Sequence, residues 1–329
     1  MNNQNPNISV VVCAYNEGDN LKHCLLSLSH QDGKINYEVI IVDDGTDSND
    51  YSIQLMDQYD KKYSNIKVIH KQNGGSISAR MTGIENSNGN YITFVDADDY
   101  VSSDYIRVIS EIVNNNDADL YQLNNKINKK GENLFEIEKD FLIDSGQVPV
   151  SQMYEWILTG KAGAVWDKIY RRALFPKLNS SIFFGEDVFI NANYLKKVSS
   201  IIMFNQAVYY HVSDSSTSGS ITNKSYKKFR DIDDLYKLVE GLKENHLITE
   251  KVFEEFIQVY LSNIAHGAGD LYRLGVKKQE ITSVLNKLAI INNWLHIINS
   301  DDLKKKICIW CLKKKQYALM AFIDKVARN

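Results

Sequence analysis

Tyr91-Ile92-Thr93-Phe94-Val95-Asp96-Ala97-Asp98-Asp99 decides how this chain is read. Tyr91–Val95 is a run of β-branched and aromatic residues, the pattern of a strand covered on both faces. It stops abruptly at four residues that carry three carboxylates. The same grammar occurs upstream, where the mostly apolar Tyr37–Val42 is closed by Asp43-Asp44-Gly45. Ile8–Cys13 is a third such strand, and Ile66–His70 a short fourth. Between them, Asn20–Leu28, Ile53–Tyr63 and Ser76–Ser87 place apolar residues at helical spacing, the last after a Gly74-Gly75 turn. Strands alternating with helices of this length predict βαβ units and a mainly parallel α/β sheet. Ligands of such sheets bind beyond the carboxyl ends of the strands.

The 329 residues suggest two domains at roughly 150 residues each. Hydrophobic residues at 44% and charged residues at 24% place the chain among globular proteins, and Gly 17 and Pro 3 exclude collagen-like or proline-linker architecture. No stretch approaches the roughly 18 uncharged apolar residues of a spanning helix, and Met1–Asn7 has neither the basic end nor the apolar core of a signal peptide. A soluble cytoplasmic protein is expected. A net charge of −3 argues against nucleic acid as a partner, since phosphate neutralisation wants a basic surface. The charge is unevenly spread, at +5 over residues 301–329 and −8 over the rest.

Beyond residue 125 the order loosens. Asn124–Lys139 is polar and predicts a loop or weak hairpin, residues 151–198 an interrupted helical region, and Ala207–Val212 a strand. Ser213–Asn223 has no apolar period and reads as a loop. Helices follow, with stripes Phe229, Ile232, Leu235, Leu238, Val239, Leu242 and Val252, Phe253, Phe256, Ile257, Tyr260, Leu261, Ile264. Thr249 and Ser300 are predicted N-caps. The domain boundary is placed near residue 225, separating a catalytic domain (1–225, divided near residue 125) from a helical one (226–329). Cys308-x-x-Cys311 has no second pair to complete a zinc site, and its spacing suits two small residues packed on one helix face.

Chemistry collects at the strand ends. Asp96 and Asp98, two apart on an extended chain, point the same way. Carboxylates gathered at one sheet edge repel one another unless a cation or sugar hydroxyls lie between them; the alternative is that strand ends are simply polar loops. G-x-G-x-x-G after the first strand, G-x-x-x-x-G-K-[ST], H-E-x-x-H and G-x-S-x-G are all absent, which weakens dinucleotide, P-loop, metalloprotease and α/β-hydrolase assignments. Acidic strand ends beside Arg80 suit a nucleoside diphosphate held with a metal.

Ser9–Asn16, Val42–Asp47, Asn73-Gly74-Gly75 with Ala79-Arg80 and Gly83, and Gly89–Asp99 together resemble the family 2 glycosyltransferases of the GT-A fold, in order and spacing, over residues 8–105. Thinner matches follow at Val165–Arg171, Gly185-Glu186-Asp187 and Val208–His211. The resemblance implies a Rossmann-like sheet flanked by helices, an inverting reaction, and a UDP-sugar donor. It implies that Ala14, Tyr15, Glu17, Asp44, Arg80, Asp96 and Ala97 line the nucleotide-sugar site, with Asp44 accepting the uracil N–H and Arg80 approaching the diphosphate. Asp98 and His211 would hold Mn²⁺ or Mg²⁺, and Asp187 would be the general base. Trp166, Lys168 and Glu186 would form the acceptor side. The proline usual before Tyr15-Asn16 is replaced by Cys13-Ala14, and the usual Ser after Asp-Asp-Gly is Thr46.

These roles have physical support and competitors. A departing diphosphate needs its charge offset, which a divalent cation on oxygen ligands does. Glu186 and Asp187 precede an apolar helical stripe, so the helix dipole favours their ionised forms; they are also ordinary first-turn acids. His211 could be a ligand or a strand-end histidine on a backbone carbonyl, and Trp166 a sugar platform or a packed ring. A nucleotidyltransferase would need a basic Gly-rich loop where Ala14–Asn20 is acidic; a non-catalytic binding subunit would not need Asp96, Asp98 and Asp187 together. Lys304–Lys306 and Lys313–Lys315 bracket an apolar segment with Trp310, which suits either contact with a membrane bearing a lipid-linked saccharide acceptor or oligomerisation through helices.

Overall fold

The computed structural model describes residues 7–33, 35–129, 135–137, 145–213 and 221–327. Its first half builds the sheet that positions the site. β1 (Ile8–Ala14), β2 (Tyr37–Asp43), β3 (Ile66–His70) and β4 (Tyr91–Asp96) are parallel, joined through α1 (Asn20–Ser29), α2 (Tyr51–Lys62) and α3 (Ser76–Glu85). β1 lies between β2 and β4, so the chain moves outward through β2 and β3 and then returns to β1's other side. That reversal opens a crevice at the carboxyl ends of β1 and β4. The register pairs Ala14 with Asp43 and Cys13 with Asp96, which brings the acidic strand ends level.

β1 is buried on both faces, as its unbroken β-branched run requires. Val10 and Val12 pack with Leu21, Leu25 and Leu28 of α1. On α3, Gly83 permits a close approach to the sheet, because a Cβ there would overlap Val11 Cγ1. Arg80 lies one turn earlier on the same buried face.

The sheet continues through β5 (Tyr100–Val101), α4 (Tyr105–Asn115), β6 (Leu120–Lys129), β7 (Phe135–Ile137), β8 (Gly146–Gln147), α5 (Val150–Leu158), β9 (Lys168–Arg171), α6 (Glu186–Leu195) and β10 (Ile201–Ser213). Its order is β3-β2-β1-β4-β9-β6-β10-β5, with β7 on β6 and β8 on β10. β9 is antiparallel to both β4 and β6, whereas β6 and β10 are parallel. Within Asn124–Lys139, read as a loop or weak hairpin, β6 and β7 pair antiparallel. Two elements depart from expectation. β9, only four residues long, sits inside the supposed helical region. β10 begins at Ile201 rather than Ala207, and its register shifts between Phe204 and Ala207 break the alternation that would have marked it.

The chain divides into two compact units, Met1–Met153 with Lys161–Ser181 and Ile190–Ser216, and Tyr154–Gly160 with Ile182–Phe189 and Thr217–Asn329. The second holds α7 (Ile221–Glu244), α8 (Glu250–Arg273), α9 (Lys278–Leu285), α10 (Ala289–Trp294), α11 (Leu303–Lys313) and α12 (Tyr317–Ala327). α8 is its centre, buried from Val252 to Leu271 and packed against α7, α11 and α12. Thr249 caps α8 by accepting from Val252 N–H. The cap of α11 is Asp302, which accepts from Lys305 N–H, and not Ser300; the carboxylate nearer the helix start also meets the dipole. Residues 214–220 of the expected loop, Ser220 included, lie outside the described residues, and Ile221–Asn223 already belong to α7. Among the described residues no helix is long and apolar enough to cross a membrane.

Candidate active site

The strand ends are fastened to one another before any ligand is considered. Asn16, in a left-handed backbone conformation (φ 56°), accepts from Asp47 N–H through Oδ1 and donates through Nδ2 to Asp47 Oδ2. Its own N–H donates to Thr46 Oγ1, so Thr46 serves the loop as a hydroxyl acceptor. Asp43 is buried; His70 Nδ1 lies 2.7 Å from its Oδ2 and Thr46 N–H donates to its Oδ1. Burial pushes this carboxyl up, but the hydrogen bonds from His70 and Thr46 prevail and hold it below the usual range. Asp44, also buried, accepts from Gly74 N–H, Gly75 N–H and Lys71 Nζ. A carboxylate has about four acceptor sites, and these three bonds use all but one of them. Lys71 has no signal in the sequence, because a lone lysine after a strand has no distinguishing pattern; Asn16 stands in the first motif, but its clasp on Asp47 depends on a partner 31 residues away.

At the end of β4 the chain turns, with Asp99 N–H donating to Asp96 O. Asp96 is half-buried and Asp98 exposed, while Ala97 and Asp99 are buried. Arg80, itself buried, reaches Asp96 Oδ1 at 3.4 Å and lies over the Phe94 ring. Asp99 faces β10: Tyr209 OH donates to it at 2.6 Å, Val212 N–H donates at 2.7 Å, and His211 Nδ1 lies 3.2 Å away. The Tyr209 oxygen also accepts from Asp96 N–H. Trp166 stacks on Tyr209 and His211, with ring centroids 4.6 and 5.4 Å apart. Asp99 therefore occupies Nδ1 of His211 and fixes the orientation of its ring.

The charges converge. His211 is pushed up first by its Asp99 bond, with Asp96 and Asp98 adding to it. Glu17 is pushed up to about 7, first by burial and then by the charges of Asp98, Asp96 and Asp50. Among the described residues no three His, Cys, Asp or Glu close on a metal by themselves. Asp98 and His211 are two donors of the kind that a cation shared with substrate phosphates uses.

Glu17 has a measurable consequence. It binds its proton more tightly folded than unfolded, so its contribution to stability is intact below about pH 4.5 and falls as pH rises towards 7. After allowance for solvent screening, the loss is about 2 kcal/mol. Denaturant unfolding at pH 5 and pH 8 should show the fall, and Glu17→Gln should remove that portion of it. An identical profile in the variant would refute the assignment.

A model of the family described as Glycosyl transferase family 2 matches residues 9–197. The chain belongs to that family. It is a glycosyltransferase, and curated relatives agree. It is 28% identical over 271 residues to the uncharacterized glycosyltransferase YibD of Escherichia coli (strain K12), covering 78% of this chain and 77% of the relative. It is 30% identical over 233 residues to the uncharacterized glycosyltransferase EpsJ of Bacillus subtilis (strain 168), covering 69% and 66%. Among solved structures, residues 1–349 of S. aureus TarS share the fold, at TM-score 0.66 and 20% identity over 98% of this chain and 91% of that one. TarS has also been solved with UDP-GlcNAc (TM-score 0.60) and with UDP (0.62).

In this glycosyltransferase Glu186 and Asp187 occupy the first turn of α6, in the second unit. Gly185 before them has φ 76°, and a Cβ there would stand 2.7 Å from Leu235 Cδ1 of α7. Phe183 and Phe184 N–H both donate to the buried Asp231 of α7. The segment bearing Asp187 is thus fastened to α7 by backbone bonds that no local sequence signal announces.

Lys168 is a correction. It is completely buried, with Nζ donating to Ala162 O, Ala164 O and Asp167 Oδ1. It cannot touch an acceptor. Instead it ties down the loop before Trp166, because a buried ammonium must satisfy its three donors.

Proposed function

We propose that this enzyme moves a sugar from a UDP-sugar (UDP-GlcNAc, UDP-Gal or UDP-Glc) to a saccharide hydroxyl with inversion, assisted by Mn²⁺ or Mg²⁺. The observation that carries the proposal is the meeting of three strand ends at the β1/β4 reversal, with Asp96 3.4 Å from the buried Arg80 and Asp44 and Asp98 at the same sheet edge. Asp44, backed by Gly74, Gly75 and Lys71, offers its remaining acceptor site to the base N–H. Tyr15 and Glu17 flank the base, Ala14 and Ala97 leave room where a larger side chain would intrude, and Asp96 takes the ribose hydroxyls. Arg80 donates to the diphosphate. TarS, solved with UDP-GlcNAc, supports this choice of donor.

Asp98 and His211 would hold a divalent cation, which would offset the charge that builds on the departing diphosphate. The acceptor oxygen attacks the anomeric carbon, the carbon–oxygen bond to the diphosphate breaks, and UDP leaves. Asp187 takes the acceptor's proton. One displacement turns an α-linked donor into a β-linked product. Glu186 and the half-buried Trp166 contribute to the acceptor side. The setting is bacterial surface polysaccharide assembly in the cytoplasm, on an acceptor held at the inner face of the membrane.

UDP release from a panel of UDP-sugars, with and without Mn²⁺, tests the reading. Metal-dependent release from one donor is expected. No release from any donor, with no UDP binding by calorimetry, would overturn it in favour of a non-catalytic binding subunit; pyrophosphate release from a nucleoside triphosphate would favour a nucleotidyltransferase.

Asp99 supplies a finer test. Asp99→Asn should raise the Mn²⁺ concentration for half-maximal activity about 10–100-fold, as loss of a carboxylate behind a ligating histidine does. Saturating Mn²⁺ should restore most of the turnover. An unchanged Mn²⁺ requirement would show that His211 is no ligand.

A further inference from the structure

α11 and α12 both turn one face to α8: Cys308 Sγ lies 3.6 Å from His266 Nε2, and Met320 packs against Gly269. Their opposite faces are exposed, and they are not polar. On α11 the exposed face carries Leu303, Ile307 and Trp310 at spacings of four and three; on α12 it carries Leu319, Phe322 and Val326 at three and four. Exposures run from 38% for Ile307 to 71% for Leu303. A solvated helix pair would place its apolar residues inward only, so two outward stripes on neighbouring helices demand a partner.

The charge around the stripes states its chemistry. Lys304, Lys306, Lys314, Lys315 and Lys325 are exposed beside them. Over residues 303–326 the one carboxylate is Asp324, which is buried and bonded to His266 at 2.6 Å. Apolar side chains with a tryptophan among them, rimmed by lysines that carry long apolar stems, match the boundary between headgroups and acyl chains of an anionic bilayer. A second copy of the chain fits less well, because a two-fold contact on this face would set lysine against lysine.

We infer that α11 and α12 form a peripheral docking surface for anionic phospholipid, with Trp310 and Phe322 entering the interface and the lysines meeting headgroups. The inference does not depend on the sugar donor.

Flotation of the full chain with phosphatidylcholine vesicles, with and without phosphatidylglycerol, tests it. Binding to the anionic vesicles alone is expected, weakening as salt is raised. The pair Trp310→Ser with Phe322→Ser, and separately Lys304→Ser with Lys314→Ser, should each reduce bound protein about tenfold. These residues are exposed, so the variants should keep the wild-type melting temperature and UDP release. No flotation with either vesicle, or flotation unaffected by both pairs, overturns the inference. Dimerisation abolished by Trp310→Ser with Phe322→Ser, in a chain that ignores vesicles, assigns the face to a second copy instead.

Discussion

Asp187→Asn is expected to lower turnover about 10²–10⁴-fold, the usual contribution of a positioned general base. Asparagine keeps the shape of the side chain but cannot take a proton from the acceptor hydroxyl. The local backbone should survive, because Phe183 and Phe184 hang on Asp231 and Gly185 sits against Leu235, none of which uses the Asp187 carboxylate. UDP affinity by calorimetry should therefore stay at the wild-type value while turnover collapses. Turnover within a few-fold of wild type would remove Asp187 from the mechanism. Asp231→Ala separates positioning from chemistry: it should weaken turnover while leaving the carboxylate in place, and Asp231→Asn should restore part of the loss through its remaining acceptor oxygen.

The second large effect is expected at Asp98. Asp98→Asn should reduce metal-dependent UDP release by about 10²–10³-fold, comparable to removing one group that stabilises developing charge. Excess Mn²⁺ should recover only part of it. The same substitution should make the metal-free protein more stable near neutral pH, because Asp98 is the leading charge among those that raise Glu17. Removing one of several crowded carboxylates relieves repulsion that the fold otherwise tolerates. Lower activity with a higher melting temperature is a paired result that general damage to the fold cannot produce. Loss of both activity and stability would show that Asp98 serves the structure and not a ligand.

Much of the site was legible in order. Asp43, Asp44, Asp96 and Asp98 each close an apolar run, and strand ends in a parallel sheet share one edge, so their grouping follows from pattern alone. Arg80 and Gly83 were visible as part of a motif. Other parts were hidden because they depend on partners far along the chain. Asp99 looked like one more acid in a cluster, yet it is buried and grips β10 through Tyr209, His211 and Val212, residues 110 or more positions away. Lys168, read as an acceptor-side residue, is instead wholly enclosed, its charge met by two backbone carbonyls and Asp167. Neither a short strand such as β9 nor a shifted one such as β10 shows the alternation that would identify it.

The local code of this chain, its β-branched runs, helical stripes and acidic strand ends, determined the α/β sheet, the helical region that follows and the sheet edge where the carboxylates gather. Those features are set by backbone periodicity and by burial of apolar faces, which act over a few residues. Tertiary structure alone decided which carboxylate faces solvent and which holds a strand, that Trp166 stacks on His211, and that the lysines of α11 and α12 rim apolar stripes. Such outcomes depend on which groups meet across the fold, because a buried charge persists only where distant donors or acceptors satisfy it.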